Sequence, residues 1–391
     1  MKNKLLSYLD EKEPEMFSLL QNLVLQRSYT NDAEDVNLVG NILRKSLENS
    51  GMRVETFSSG RYGDHLIFRS PACSLASSKQ IMLVGHMDTV FPRDMGFNSY
   101  KEDDKNIYGP GVIDMKGGLV TAVYAIKAFS HCGLLDTVPV TIFFNSEEEK
   151  GSPESKILFR KEAEKTLLAL VFECGGMKGE CVTGRKGKLG FTIKIKGKAG
   201  HAAFAGKDKA SSILELAHKI VAIEKLNDPA RQLIVNVGKV KGGIGPNTVA
   251  EKAVAQVDCR FITPEDKDNC FVKIKQIVAE NVVHGVTASY EIPSARDVMP
   301  PSEKNRKILK LFQENAALLN QGIGEEFRSG VSDANTLSGC GIPVLDGLGP
   351  IGEFDHSDKE YMIKKSLPER ARLTTITLFD LFRRNQENNL F

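Results

Sequence analysis

Short apolar runs alternate with a helical pattern in the first part of the chain. Ile81–Gly85, Val138–Phe144 and Leu167–Phe172 are almost wholly apolar, which predicts buried strands. Gly117–His131 lies between the first two and is apolar on nearly all sides, which predicts a buried helix. Strands that alternate with helices favour a largely parallel sheet covered on both faces, so an α/β domain is expected here.

The pattern changes near residue 184. Four segments there alternate apolar and polar residues, as strands with one solvated face do, and two have amphipathic helical spacing. Their order is βαββαβ, which is typical of the ferredoxin-like split unit. The segments are Phe191–Lys196, Ala210–Leu226, Gln232–Lys239, Ala253–Phe261, Lys267–Val283 and Val286–Ile292.

The buried pattern returns after residue 298. It predicts a helix at Lys304–Leu319, a strand near Pro343–Leu345 and a closing helix after Pro368. We therefore predict an α/β catalytic domain with a mostly parallel mixed sheet, formed by residues 1–183 and 299–391. An inserted α+β domain of residues 184–298 interrupts it.

Composition and charge exclude several classes of function. The net charge of +2 over 391 residues, without a dense basic patch, argues against nucleic acid as a partner. No stretch approaches the roughly 20 apolar residues of a membrane span, and the N-terminal segment lacks the apolar core of a signal peptide. Seven scattered cysteines without CxxC spacing favour the cytoplasm.

Metal-capable side chains occur in five separated segments, four of them at or just after predicted strand ends. Carboxylates beside buried strands are costly unless they are paired or bind cations, and imidazole with carboxylate suits zinc. The side chains are those of His86 with Asp88, Asp114, Glu147 to Glu149, Glu173 and His356.

Each segment also has an ordinary explanation. A glutamate triplet is typical of a solvated face, Asp114 could be a helix N-cap, and a lone histidine such as His356 is usually structural. Their joint position at strand ends weakens these explanations. Two histidines with three carboxylates exceed the needs of one catalytic zinc, so a balanced two-metal site is expected.

Five motifs in order give the chain a resemblance to a known family. It resembles the dizinc amidohydrolases that include acetylornithine deacetylase, succinyl-diaminopimelate desuccinylase, aminoacylase and carboxypeptidase G. The resemblance covers essentially the whole chain, including the inserted domain, and is strongest to the carboxypeptidase G branch. The motifs are GHMDTV, GPGVIDMKGG, NSEEEKGS, GHAAFAG and FDHSDKEYM.

The resemblance implies two zinc ions per subunit, with cobalt or manganese as alternatives. His86 and Glu173 are the implied ligands of one ion, Glu148 and His356 those of the other, and Asp114 the bridging ligand.

Further roles follow from the same resemblance. Glu147 is the implied general base, which takes a proton from the attacking water and returns it to the leaving nitrogen. Asp88 is the implied carboxylate that orients His86. A cis peptide bond is expected between Asp114 and Met115.

Substrate contacts are also implied. His201 and Asn247 of the inserted domain are expected to reach the substrate in the partner subunit. Arg296 is expected either to bind the substrate carboxylate or to be a plain surface arginine, and Arg260 to be structural. Pocket contacts through backbone groups are expected from Gly330 and Ser332.

The leading hypothesis is a cytoplasmic zinc hydrolase that releases a C-terminal amino acid, with glutamate as the candidate. An N-acyl-amino-acid deacylase or a di- or tripeptidase is the alternative, so the substrate is a small acylated amino acid or short peptide. A non-catalytic binding member is a more remote hypothesis, because no implied ligand or base is missing. The resemblance also implies that the inserted domain acts as a lid over the substrate and pairs edge to edge with its counterpart in a second subunit, so a homodimer is expected.

Overall fold

The computed structural model describes residues 1–74, 79–387 and 390. The helices are α1 (Lys2–Glu11), α2 (Glu13–Leu25), α3 (Ala33–Leu47), α4 (Gly117–His131), α5 (Ser155–Ala163), α6 (Ser212–Glu224), α7 (Pro264–Ala279), α8 (Glu303–Leu318), α9 (Asp333–Gly339) and α10 (Ser366–Gln386). None of the described helices is both long and apolar enough to cross a membrane.

The strands follow the same chain order. They are β1 (Arg53–Phe57), β2 (His65–Arg69), β3 (Gln80–His86), β4 (Lys101–Glu102), β5 (Asn106–Tyr108), β6 (Val140–Asn145), β7 (Thr166–Val171), β8 (Cys181–Arg185), β9 (Gly187–Lys196), β10 (Gly200–His201), β11 (Ile234–Gly242), β12 (Thr248–Val249), β13 (Lys252–Phe261), β14 (Thr287–Arg296), β15 (Glu325–Arg328), β16 (Val344–Leu345), β17 (Gly352–Glu353) and β18 (Tyr361–Ile363).

The chain divides into two compact units. The larger unit contains Met1–Gly184, Pro301–Arg328 and Ser332–Phe391, and the smaller contains Arg185–Pro300 and Ser329–Val331. Residues 329–331 therefore join the smaller unit, although the sequence places them in the other domain. Two hydrogen bonds account for this, because Arg260 donates to the Ser329 carbonyl and Arg185 to that of Gly330.

The larger unit is built on a mixed six-stranded sheet. Its order is β1-β2-β6-β3-β7-β16, in which β6, β3, β7 and β16 are parallel and the β1-β2 edge is antiparallel. All seven residues of β3 are buried, as expected for a strand covered on both faces. This is the predicted α/β fold, and the parallel strands bring their carboxyl ends to one edge of the sheet.

The smaller unit contains an antiparallel four-stranded sheet. The sheet order is β11-β13-β9-β14, and α6 and α7 follow β9 and β13 in the chain. The order of its main elements is therefore βαββαβ, as the alternating pattern predicts. The core of this unit contains Phe191, Ile193 and Ile195 of β9, which alternate with more exposed residues.

The predicted helix bounds differ from the structure by a few residues, and two of the differences have a clear local cause. The helix predicted at Lys267–Val283 is α7, which begins at Pro264 because Thr263 caps it by accepting from the Asp266 N–H. The closing helix α10 begins at Ser366, two residues before Pro368. A proline is tolerated there because the first-turn N–H groups have no helical partners.

Candidate metal centre

His86 is the last residue of β3 and lies at the carboxyl edge of the parallel strands. Its ring is buried, and Nδ1 donates to the backbone carbonyl of Asp88 at 3.0 Å. A carbonyl can only accept, so Nδ1 carries a proton, and Nε2 is the ring nitrogen that can bind a metal ion once its own proton leaves. Nε2 lies 3.0 Å from Oδ1 of Asp114 and 3.8 Å from Oε1 of Glu173.

Asp114 lies in the irregular turn Val112–Lys116 that precedes α4. The turn is entered through Gly111, whose φ of +71° is in the left-handed region that favours glycine. The peptide bond between Asp114 and Met115 is cis, which confirms that prediction. The two carboxylate oxygens face different histidines, since Oδ2 lies 3.0 Å from Nε2 of His356.

His356 and Glu149 form the other side of the cluster. The loop that carries His356 has a φ of +62° at that residue, a conformation that is costly for a side chain larger than glycine. Its Nε2 lies 3.3 Å from Oε2 of Glu149. The other oxygen, Oε1, is buried and has no hydrogen-bond partner among the described residues.

Glu173 follows β7, the strand on the other side of β3. A side chain on Gly118 would place its Cβ 1.9 Å from the Phe172 carbonyl oxygen. Only glycine allows the start of α4 to approach the end of β7 so closely. The helix that follows Asp114 thereby packs directly against the segment that carries Glu173.

The glutamate triplet is arranged differently from the prediction. Glu147 is fully buried, and its carboxylate accepts from the N–H of Glu154, the N–H of Ser155 and the Ser155 hydroxyl at 2.9, 2.8 and 2.5 Å. It thus caps the N-terminus of α5 and is not directed at the cluster. The assignment of Glu147 as general base is corrected for this reason.

The ligand position in the triplet is corrected as well. Glu149, rather than Glu148, lies with His86 and Asp114, with ligand atoms within 4.8 Å of one another. Glu148 is half-buried, and its charge contributes to the raised pKa of Glu173. Glu148 therefore lies near the cluster without belonging to this group.

Asp88 joins His86 to the triplet. Its carboxylate accepts from the Glu148 N–H at 3.1 Å, the Glu149 N–H at 3.3 Å and the Thr30 hydroxyl at 2.8 Å. Oδ1 is 3.4 Å from Nδ1 of His86, farther than the Asp88 carbonyl. Asp88 therefore positions the turn of the triplet at least as directly as it orients His86.

Three residues near the cluster have no sequence-based prediction. Thr30 donates its hydroxyl proton to Asp88, and Asp355 forms a second group with Asp114 and His356 whose ligand atoms lie within 4.8 Å of one another. Glu360 is buried, and its carboxylate accepts three backbone N–H groups of the Asp114 turn. The only sequence signal for the last two is their closeness in the chain to His356.

The residues predicted to contact substrate lie in several places. His201 and Asn247 are exposed residues of the smaller unit, while Arg296 is buried at the end of β14, unlike a plain surface arginine. Gly330 also belongs to that unit. Arg260 pairs with Asp258 at 2.7 Å, which fits its expected structural role.

Ser332 has a structural use in the larger unit. Its N–H donates to the Asn335 side chain, and its hydroxyl donates to Asp346 and accepts from the Ala334 N–H at the start of α9. The Ser332 N–H is therefore used within the protein, and the expected pocket contact through its backbone groups stays a prediction.

The close approach of acids and histidines shifts their pKa values. Burial and then the charge of Asp114 raise the pKa of Glu149 to about 7. Hydrogen bonds to Asp114 and Glu149 raise the pKa of His356 to about 11. Burial alone would raise the pKa of Asp114, but the hydrogen bonds from His356 and His86 outweigh it and lower that pKa.

The stability of the metal-free protein should fall as the pH rises from about 5 to about 8. Glu149 and His356 both have raised pKa values, so the folded state binds more protons than the unfolded state over this range. The lowered pKa of Asp114 has its effect only at more acidic pH. Urea midpoints in chelator at pH 5.5 and pH 8 measure this, and a higher midpoint at pH 8 would contradict it.

The donor set fits divalent metal ions. Glu149 Oε1 is a buried acceptor without a hydrogen-bond partner in the described part of the chain, and such an atom is costly unless a cation or a donor reaches it. The Nε2 atoms of His86 and His356 are directed at the cluster, and each oxygen of Asp114 faces a different one of these histidines. Imidazole and carboxylate ligands of this kind suit zinc and neighbouring transition metals.

A family model matches most of the chain, including the segments that form the cluster. The model described as peptidase family M20/M25/M40 matches residues 82–379, which include all the residues of the cluster. The chain belongs to this family. It is therefore a metallopeptidase, an enzyme that hydrolyses peptide bonds.

Several individual proteins are also similar to this chain. Carboxypeptidase G2 of Pseudomonas sp. (strain RS-16) is 27% identical over 388 residues, covering 97% of this chain and 92% of that protein. The aminopeptidase PepT of Bacillus cereus ATCC 10987 has a TM-score of 0.76 at 20% identity, covering 94% of this chain and 98% of that chain. The M20 family metallo-carboxypeptidase Sso-CP2 of Sulfolobus solfataricus has a TM-score of 0.74 at 16% identity, covering 93% of this chain and 98% of that chain. Both structural similarities concern the fold.

Proposed function

We propose that this M20 protein is a dizinc carboxypeptidase that releases a C-terminal amino acid, with glutamate as the first residue to test. The observation that carries the proposal is the convergence of two histidines and three carboxylates at the ends of the parallel strands. The similarity to carboxypeptidase G2 along 97% of the chain supports the carboxypeptidase branch.

The distances support a division of the ligands into two sets. His86 and Glu173, whose closest atoms are 3.8 Å apart, would hold one ion. His356 and Glu149, 3.3 Å apart, would hold the second. Asp114 would bridge, because its Oδ1 faces His86 and its Oδ2 faces His356, each at 3.0 Å.

Glu148 is the proposed general base. Its charge contributes to the raised pKa of Glu173, so its carboxylate lies beside the proposed centre, whereas Glu147 caps α5 and Glu149 lies against His356. Its N–H donates to Asp88, which holds the backbone of the turn in place.

The proposed reaction is attack of water on the scissile amide. Two bound ions would polarise the substrate carbonyl and acidify the attacking water. Glu148 takes the water proton on a carboxylate oxygen and then donates it to the leaving nitrogen as the amide bond breaks. Asp88 keeps Glu148 and Glu149 at fixed positions through their two N–H groups.

A small substrate panel tests this function. We expect metal-loaded protein to hydrolyse benzoyl- or pteroyl-glutamate, and to lose this activity when the metals are removed by chelation. The panel includes N-acetyl amino acids and dipeptides, which a deacylase or a dipeptidase would prefer. Activity confined to those substrates would overturn the carboxypeptidase proposal.

We also propose that the protein is a homodimer formed through the smaller unit. The outer edge of β11 has no strand partner among the described residues, and Ile234 and Val240 on this strand are 45% and 55% exposed. Helix α6 packs beside β11 and exposes Val221, which is 57% exposed. An edge strand with exposed apolar residues is a ready site for pairing with a second chain.

Replacing Val240 with aspartate should convert the dimer to a monomer, because it introduces charge at the proposed apolar contact. Light scattering after gel filtration measures the mass. Val272→Asp on α7 is the matched control, since this valine is 51% exposed in the same unit. A wild-type monomer, or an unchanged Val240→Asp dimer, would contradict the proposed interface.

The cytoplasm is the proposed location. The structure describes all seven cysteines, and none of them is joined in a disulfide bond, including the buried Cys181, Cys259 and Cys270. Thiols that persist without pairing are typical of proteins in a reducing compartment.

A further inference from the structure

We infer that Glu360 is a positioning residue that holds the bridging carboxylate Asp114 in place for both metal ions. The inference rests on the metal centre proposed above. It concerns a residue that is not itself a ligand in that centre and that acts through the backbone of the Asp114 turn.

The contacts of Glu360 are directed at one short segment. Its Oε2 accepts from the Gly111 N–H at 2.9 Å, and its Oε1 accepts from the N–H groups of Ile113 and Asp114 at 2.8 and 3.1 Å. Glu360 is fully buried. A buried carboxylate is costly unless its oxygens are satisfied, so these three bonds hold the turn and the carboxylate to each other.

The segment that Glu360 holds is not a regular helix or strand. It contains Gly111 at a positive φ, and Asp114 and Met115 have non-helical dihedral angles within the turn. Backbone N–H groups that are not used in a helix or sheet need another acceptor. Glu360 supplies that acceptor at the residue whose side chain faces both histidines.

Glu360 also connects two parts of the metal centre that are far apart in sequence. It lies four residues after His356 and directly before β18. Strand β18 pairs with β5, which precedes the Asp114 turn in the chain. The 3.0 Å approach of His356 Nε2 to Asp114 Oδ2 therefore depends on two segments that Glu360 ties together. A carboxylate that orients a ligand from outside the metal's own ligand set typically changes metal affinity by about 10- to 100-fold.

The chemistry of the side chain makes the inference testable by substitution. Glutamine has the same length but only one acceptor oxygen, and its NH₂ group would face either Gly111 N–H or the Ile113 and Asp114 N–H groups. Aspartate keeps both oxygens and the charge but is one methylene shorter. Both variants should displace Asp114, and neither removes a side chain that is proposed to bind metal.

The experiment is a metal titration of purified, metal-free protein with Co²⁺ and with Zn²⁺ against a chromophoric chelator. We expect Glu360→Gln to weaken binding about 10- to 100-fold and to change the visible absorption spectrum of the Co²⁺ protein. Circular dichroism beforehand shows that the variant is folded at the titration temperature. A role confined to global stability would leave both the affinity and the spectrum of the folded protein unchanged.

The controls separate the possible outcomes. Glu353→Gln removes the same charge from an exposed residue that accepts from the Tyr361 hydroxyl at 3.0 Å, and it should bind metal like the wild type. Should Glu360→Gln not fold, the same titration of Glu360→Asp decides, with weakening again expected. Wild-type affinity and spectrum in the folded Glu360 variant would overturn this inference alone. A wild-type protein that binds no metal would overturn both the inference and the proposed metal centre.

Discussion

Replacing Glu148 with glutamine should lower kcat by about 100- to 10,000-fold, the usual contribution of a general acid–base group. Glutamine keeps the size of the side chain but cannot take a proton from water at neutral pH. Both metal ions should remain bound, because Glu148 lies outside the group formed by His86, Asp114 and Glu149. Steady-state kinetics on the best substrate of the panel, together with metal content, measures the effect.

Glu147→Gln is the matched control, since it changes the neighbouring acid in the same way. It should lower stability by about 0.5–2 kcal/mol through its role at the N-terminus of α5, with little change in kcat. Full activity in Glu148→Gln with a large loss in Glu147→Gln would reverse the two assignments.

The second large effect is expected from Asp114→Asn. Asparagine is neutral and offers one oxygen where the carboxylate offers two, each 3.0 Å from a histidine nitrogen. Loss of a residue that only orients a ligand lowers metal affinity by up to about 100-fold. Asp114 is itself a proposed ligand, so we expect a larger loss of affinity, with a parallel loss of activity. Metal analysis after dialysis and kinetics at a fixed free metal concentration measure both quantities.

Asp358→Asn is the control for this prediction. Asp358 is an exposed carboxylate in the loop of His356, so its neutralisation should leave metal content and activity unchanged. An Asp114→Asn protein that retained two ions and full activity would show that Asp114 does not bridge them.

The fold follows from hydrophobic periodicity to a large extent. The strand Ile81–Gly85 and the helix Gly117–His131 reappear as β3 and α4, since runs buried on both faces differ clearly from solvated segments. The predicted start of α7 lies three residues after the observed start, because the helix cap depends on one threonine side chain rather than on the apolar pattern. The assignment of residues 329–331 depends on hydrogen bonds from Arg260 and Arg185, which are distant in sequence.

The candidate site was predictable at the level of segments and less so at the level of single side chains. His86, Asp114, Glu173 and His356 come together because they follow the ends of neighbouring elements. Three consecutive glutamates are chemically identical, and they follow the end of β6 at Asn145, so strand alternation no longer fixes their directions. The difference of one residue between the predicted ligand, Glu148, and the proposed ligand, Glu149, arises there.

Glu360 shows the other limit of sequence reasoning. Its contacts join residues 246 to 249 positions apart, and an isolated glutamate before a short strand has no pattern that identifies such a partner. Only the three-dimensional structure places its carboxylate on the Asp114 turn.

Anomalous X-ray diffraction at the zinc edge, from crystals of the zinc-loaded protein, tests the central claim most directly. We predict two peaks within about 4 Å of each other, on either side of Asp114. Glu149 and His356 should contact one ion, and Glu173 and His86 the other, with Glu148 bound to neither. A single peak, or Glu148 as a ligand with Glu149 turned away, would contradict the account.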